Sequence, residues 1–159
     1  MKSGLVVVAV LLLISIGIAF NLKQRYGPEL AQTQDLITAL AYWLETHSGD
    51  FPPSEADFLA APFIEKLPDG GFRVRPNPAS NYRREVHGIA IRDLAPFQIA
   101  WGVDLGSLTV DETGKARTAD DKTIELVRWP SSPPSGKGYT AFLLDVRNQV
   151  RAAASRPAP

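Results

Sequence analysis

The sequence predicts an α+β fold in which an N-terminal transmembrane helix runs into an amphipathic helix that packs on a small antiparallel β-sheet. Three observations carry that prediction. The run LVVVAVLLLISIGIAF, Leu5 to Phe20, contains no charge and only Ser15 as a polar side chain. Between Leu30 and Leu44 apolar residues recur at helical offsets. Beyond Asp69-Gly70-Gly71 the chain breaks into short runs rich in β-branched and aromatic residues, with turn-prone stretches and no helix between them.

Taken in order, the first element is the anchor. With Gly4 and Asn21-Leu22 added, the apolar run approaches the ~20 residues a helix needs to cross a bilayer. A buried soluble helix of this kind would need a core surrounding it on all sides, which a domain of this size rarely has. A cleaved signal peptide is the competing reading, with Lys2 as its basic region and Gly17-Ile18-Ala19 as a small-x-small site before Phe20. Signal-peptide apolar regions are shorter, ~7–15 residues, which favours the retained anchor. Positive charge is nearly balanced across the span, with Lys2 ahead of it and Lys23 and Arg25 behind. The short leader makes a cytoplasmic N-terminus the simpler route, with the remainder of the chain outside.

The second element spans NLKQRYGPELAQTQDLITALAYWLETHSGDFPP. Leu30, Ile37, Leu40, Ala41 and Leu44 make one apolar face, widened by Leu36 and Trp43. Pro28 fits a first helical turn or a kink in a continuous helix. Gly49 is placed to cap the end, and Pro52-Pro53 cannot continue it. Ser54 then reads as the N-cap of a short helix over Glu55 to Ala61, stopped before Pro62.

The strand candidates are FRVRP, VHGIAI, FQIAWGV and TIELVRW, with SLTV as a weaker fifth. Their close spacing suggests an antiparallel meander packed on the helix face. Ser131 to Gly138 is a loop, and YTAFLLDVRNQVRAAA fits a helix with Phe142, Leu143, Val146 and Val150 on one side. The first half of that segment fits a final strand equally well. The expected organisation is therefore an anchor over 1–22, an external α+β domain over 23–130, a helical C-terminal extension over 131–154 and a disordered tail over 155–159.

Composition narrows the function. At 159 residues the chain holds one domain, and 45% apolar with 21% charged residues fits a folded protein. Lys plus Arg and Asp plus Glu both number 17, without the basic excess of a nucleic-acid binder. Cysteine is absent, which removes disulfides, thiolate metal sites and Cys nucleophiles. The chain lacks GxGxxG, HExxH, GxSxG and a complete phosphate loop, since Ser135-Gly136-Lys137-Gly138 has neither the earlier Gly nor the hydroxyl residue. His47 suits a helix end, where a cation complements the macrodipole. His87 lies inside a strand-like run and reads as a half-buried strand residue. No base is spaced to activate a Ser or Thr, and the chain reads as a non-enzyme.

The most informative polar stretch is DETGKARTADDK, Asp111 to Lys122. It gathers Asp111, Glu112, Asp120 and Asp121 around Gly114. Hard cations such as calcium take six to eight oxygens from a bent loop, and Thr118 adds a hydroxyl to the carboxylates. The plainer reading is a solvated hairpin turn neutralised locally by Lys115, Arg117 and Lys122.

Two stretches together resemble the type IV pilin-like family, above all the pseudopilins of bacterial type II secretion. LAYWLETHSGDFPPSEADFL, Leu40 to Leu59, resembles that family's helix end, with its Gly, aromatic-Pro pair and short Ser/Thr-capped helix. TGKARTADD, Thr113 to Asp121, resembles the DG-x-x-GTADD loop that binds calcium in major pseudopilins. Gly4 after a short basic leader resembles the residue before prepilin-peptidase cleavage. The resemblance covers roughly residues 4 to 61 and 97 to 129. It departs at Leu5 and Ala9, where the family has Phe and Glu, and at Thr113 and Arg117, where it has Asp and Gly. Like minor, tip-located members, the chain lacks the Glu that pairs with a neighbour's N-terminus.

The resemblance implies a pilin-like fold, processing at Gly4-Leu5, and calcium at Asp120 and Asp121, the pair the family uses, to which the spacing of the loop adds Asp111 and Thr118 as candidate ligands. It implies a single-pass bacterial inner-membrane protein, N-terminus cytoplasmic and C-terminal domain periplasmic. Such a subunit would act by assembly in a secretion or pilus-type envelope complex. Its partners would be the lipid bilayer, other envelope subunits, and like subunits through the N-terminal helix, with no nucleic acid. The alternative is an accessory subunit of another membrane complex that does not polymerise. A third class, an exported enzyme or ligand-binding domain, needs a pocket with convergent polar groups.

Overall fold

In the computed structural model, which describes residues 27–82, 85–112, 115–128 and 139–156, helix α1 covers residues 27–46. The anchor, the Gly4-Leu5 junction, Thr113-Gly114, the Ser131–Gly138 loop and residues 157–159 lie outside the described residues. Among the described residues no helix is long and apolar enough to cross a membrane.

Helix α1 departs from the amphipathic expectation. Every residue from Asp35 to Leu44 is buried, including Asp35 and Thr38 at 0% exposure, so the domain surrounds this half of the helix on all its faces. Buried Thr33 and Thr38 satisfy their hydroxyls by donating to the carbonyls of Glu29 and Gln34, one turn back. Leu30, expected on the apolar face, is 54% exposed because the surrounding elements close only beyond it. The helix ends in a left-handed turn, in which the Gly49 N–H donates to the Leu44 carbonyl at 2.8 Å. That turn starts one residue before the expected glycine, at Ser48 (φ 55°), and continues through Gly49 (φ 86°). A side chain at Gly49 would also press on the stem of Arg147, 3.1 Å from an added Cβ.

Helix α2, Glu55–Leu59, starts where expected, with the Ser54 hydroxyl accepting from the Asp57 N–H. Its buried Phe58 lies between Trp43 and Trp101, ring centroids 6.4 and 5.7 Å away. Strands β1 (Ile64–Lys66) and β2 (Phe72–Val74) form an antiparallel hairpin, with Ile64 opposite Val74 and Lys66 opposite Phe72. Phe72 and Val74 point inward and Arg73 outward, the period-2 pattern of a half-buried strand. Gly71 permits the adjacent crossing, since a Cβ there would meet the Ile91 carbonyl at 2.8 Å.

The remaining strands are β3 (Gln98–Ile99), β4 (Thr109–Val110), β5 (Ala116–Arg117), β6 (Thr123–Ile124) and β7 (Val127–Arg128), with a 3-10 turn at Leu105–Ser107. They do not make one meander. Strand β3 pairs with β7, and β4-β5-β6 form a separate three-stranded sheet, all antiparallel. The TIELVRW run thus divides between two sheets. Strand β1 and strand β5 carry Glu, Lys or Arg and lack the β-branched pattern by which the other runs are recognised. VHGIAI is not a strand; it makes a single bridge, Ile91 to Phe72.

Helix α3, Tyr139–Ala154, resolves the helix-or-strand alternative in favour of a helix. It returns to the domain, burying Thr140, Leu143, Leu144 and Val146. Phe142 lies 5.1 Å from Tyr82, the Leu126 N–H donates to the Thr140 hydroxyl at 2.9 Å, and Arg151 pairs with Asp50. One apolar cluster joins α1, α2, α3 and residues of all three sheets.

Candidate functional site

Two sets of carboxylates are organised by this fold. The first is the expected acidic corner. Strand β5 is central in its sheet, with Arg117 opposite Thr109 of β4 and Thr123 of β6. Asp111 follows β4 and Asp121 lies in the turn before β6, so the two flank Arg117. The guanidinium donates from Nε to Asp111 Oδ2 and from Nη1 to Asp121 Oδ1, both at 2.9 Å. The other Asp111 oxygen accepts from the Lys115 backbone N–H. The β5–β6 turn is closed by Thr118 N–H to the Lys122 carbonyl and by Asp121, left-handed at φ 61°, donating to the Thr118 carbonyl.

Within that turn the Thr118 hydroxyl donates to Asp120 Oδ1 at 2.6 Å, and Lys122 Nζ pairs with Asp120 Oδ2 at 2.6 Å. Lys122 and then Thr118 hold the Asp120 carboxyl below the usual carboxylate range. Asp111 and then Asp121 raise the Arg117 guanidinium above its ordinary value. Asp111 and Asp121 thus share Arg117, while Asp120 is engaged by Lys122 and Thr118, so each carboxylate is bound to nitrogen. Among the described residues no group of three or more His, Asp or Glu is set to hold a metal ion. Among the described residues the Arg117 guanidinium occupies the space between Asp111 and Asp121.

The second set was not singled out from the sequence. Asp35, in the buried half of α1, accepts from the His87 N–H at 2.7 Å and the Ile89 N–H at 3.1 Å. Those alternate amides are the ones a neighbouring strand would use, which is why VHGIAI forms no ladder. Glu45 accepts from the Ser80 hydroxyl and from the Asn81 and Tyr82 N–H groups at 3.0 and 3.2 Å. Gln32 donates to the Ala90 carbonyl, and Gln34 meets His87 Nε2 at 2.9 Å. His87 is accordingly an exposed loop residue, not a half-buried strand residue. The available signal was a lone aspartate beside Leu36 and Ile37, since a charge in a buried stripe requires partners.

His47 sits at the helix end as expected, stacked on Trp43 with ring centroids 3.8 Å apart. On the hairpin, Glu65 bridges Arg73 and Arg75, whose hydrogen bonds hold its carboxyl down at about 2.

Among the described residues these elements define an α+β protein with two long helices, α1 and α3, and small antiparallel sheets. No protein-family model matches the chain, and no characterised protein and no solved structure matches it.

Proposed function

We propose that this chain is a pseudopilin-like, membrane-anchored subunit that acts by assembly in a secretion or pilus-type envelope complex, not by catalysis. The observation that carries the reading is the junction of two parts. The apolar run Leu5–Phe20 ends shortly before residue 27, where the chain is already helical, and the far half of that helix is the buried axis of an α+β domain. A helix with one end enclosed by its domain and the other towards the apolar run suits a domain carried on an anchor. The anchor would supply contacts with lipid and other subunits, with the N-terminus cytoplasmic and the domain periplasmic.

An accessory subunit that does not polymerise is the second reading, and two observations favour it. Leu5 and Ala9 stand where the resembled family has Phe and Glu. The half of α1 from Asp35 to Leu44 is buried within its own chain, which confines helix contacts with other subunits to the turns around Leu30 and the segment before them.

The test is the intact mass and N-terminal sequence of the chain extracted from membranes. A start at Leu5 with a methylated amine supports prepilin-type processing and a filament-like assembly. A start at Met1 supports a permanent anchor and the accessory reading. A start near Phe20, with the chain in the soluble fraction, overturns both.

A further inference from the structure

We infer that Arg117 is the built-in cation of the β4-β5-β6 corner, its guanidinium closing the corner in place of a bound metal ion. The corner resembles a calcium loop in sequence, and two of its carboxylates, Asp111 and Asp121, meet at Arg117. Clustered carboxylates repel one another unless positive charge lies between them. Here that charge is covalent. Arg117 sits on the central strand, paired on both sides, so its backbone is fixed in register with both neighbours. Its side chain is 35% exposed and its fork reaches Asp111 on one flank and Asp121 on the other. A planar fork with separated donors can serve two carboxylates at once, which a lysine ammonium does less well. Asp120 is engaged separately, by Lys122 and the Thr118 hydroxyl.

A calcium ion entering between Asp111 and Asp121 would have to displace the guanidinium and break both ion pairs, or lie beside a like charge. Either route removes the advantage the carboxylates would give it. The lock is a property of this corner and does not depend on whether the chain assembles with others.

The experiment is thermal unfolding of the full chain in detergent, in millimolar calcium and in chelator, for wild type, Arg117→Gln and Arg117→Lys. The wild-type Tm is expected to be the same in both conditions. Arg117→Gln should melt lower in chelator, because Asp111 and Asp121 then face each other without a counter-charge. Arg117→Lys should recover part of the loss, since one ammonium replaces the charge without the fork. A wild-type Tm that rises with calcium would overturn the inference, because a ligand bound only by the folded state raises it. So would an Arg117→Gln variant that melts with wild type in chelator. If Arg117→Gln does not fold, the wild-type calcium response decides the question: none upholds the lock, a rise overturns it.

Discussion

Asp35 and Asp121 are both aspartates held by nitrogen donors, but their surroundings are opposite. Asp35 is 0% exposed and takes its hydrogen bonds from the neutral backbone amides of His87 and Ile89. The Asp121 side chain is 82% exposed and takes its bond from the charged Arg117. In water an ion pair contributes little, because solvent already screens both charges. In the interior, losing the acceptor leaves two amides without partners, and that desolvation cost is paid in full. The conspicuous acidic cluster is therefore the less consequential for stability, and a single inconspicuous aspartate in the helix positions a whole segment.

The sharpest way to break this contrast is Leu40→Asp. Leu40 is fully buried in the wrapped half of α1, and an unpaired carboxylate there should cost about 4 kcal/mol or more, enough to prevent stable folding. A variant with wild-type denaturant stability would show that this half of the helix is not enclosed. Asp35→Ala should follow, at about 3 kcal/mol, with amide exchange at residues 87 and 89 accelerated beyond the global change. Loss of stability without that local acceleration would separate Asp35 from its loop. Glu45→Ala should cost less, about 1–2 kcal/mol, with the exchange effect confined to residues 81 and 82.

The smallest effect belongs to the exposed ion cluster on the hairpin, and it has a definite pH window. Glu65 has its carboxyl lowered from 4.5 to about 2 by Arg73 and Arg75, so the folded state releases that proton more readily than the unfolded chain. Its contribution is present above 4.5 and is lost as pH falls from there toward about 2. The difference in Tm between wild type and Glu65→Gln should be level at neutral pH and shrink across that interval. A difference that grows on acidification would contradict the assignment.

What the sequence made legible was local. The helix turn at Gly49 and the Ser54 cap follow from capping residues, and the structure has them with boundaries shifted by a residue or two, whereas Tyr139–Ala154 fitted a helix or, in its first half, a strand, and the structure makes it helix α3. The partition of the strands was not legible. Strands of two or three residues carry little periodic signal, and β3 chooses β7 across the whole β4-β5-β6 sheet, a pairing no local pattern encodes. VHGIAI has strand composition, but a side chain from α1 takes the amides it would have paired. In the acidic corner the sequence offered local neutralisation by Lys115, Arg117 and Lys122 as the plainer reading, and the register of β5 shows which carboxylates Arg117 takes, Asp111 and Asp121.

We propose that the chain contacts other subunits at the membrane-proximal end of α1 and not along its enclosed half. The chain has no cysteine, so single cysteines can be introduced without background. We would place one at Leu30, exposed in the first turns, and another at Thr46, exposed at the far end, and treat intact membranes with a cross-linker that joins a thiol to a neighbour's thiol or amine. A cross-linked species is expected through Leu30→Cys, to a second copy or another envelope subunit, and none through Thr46→Cys. A chain that stays uncross-linked at Leu30, or cross-links only at Thr46, would contradict it.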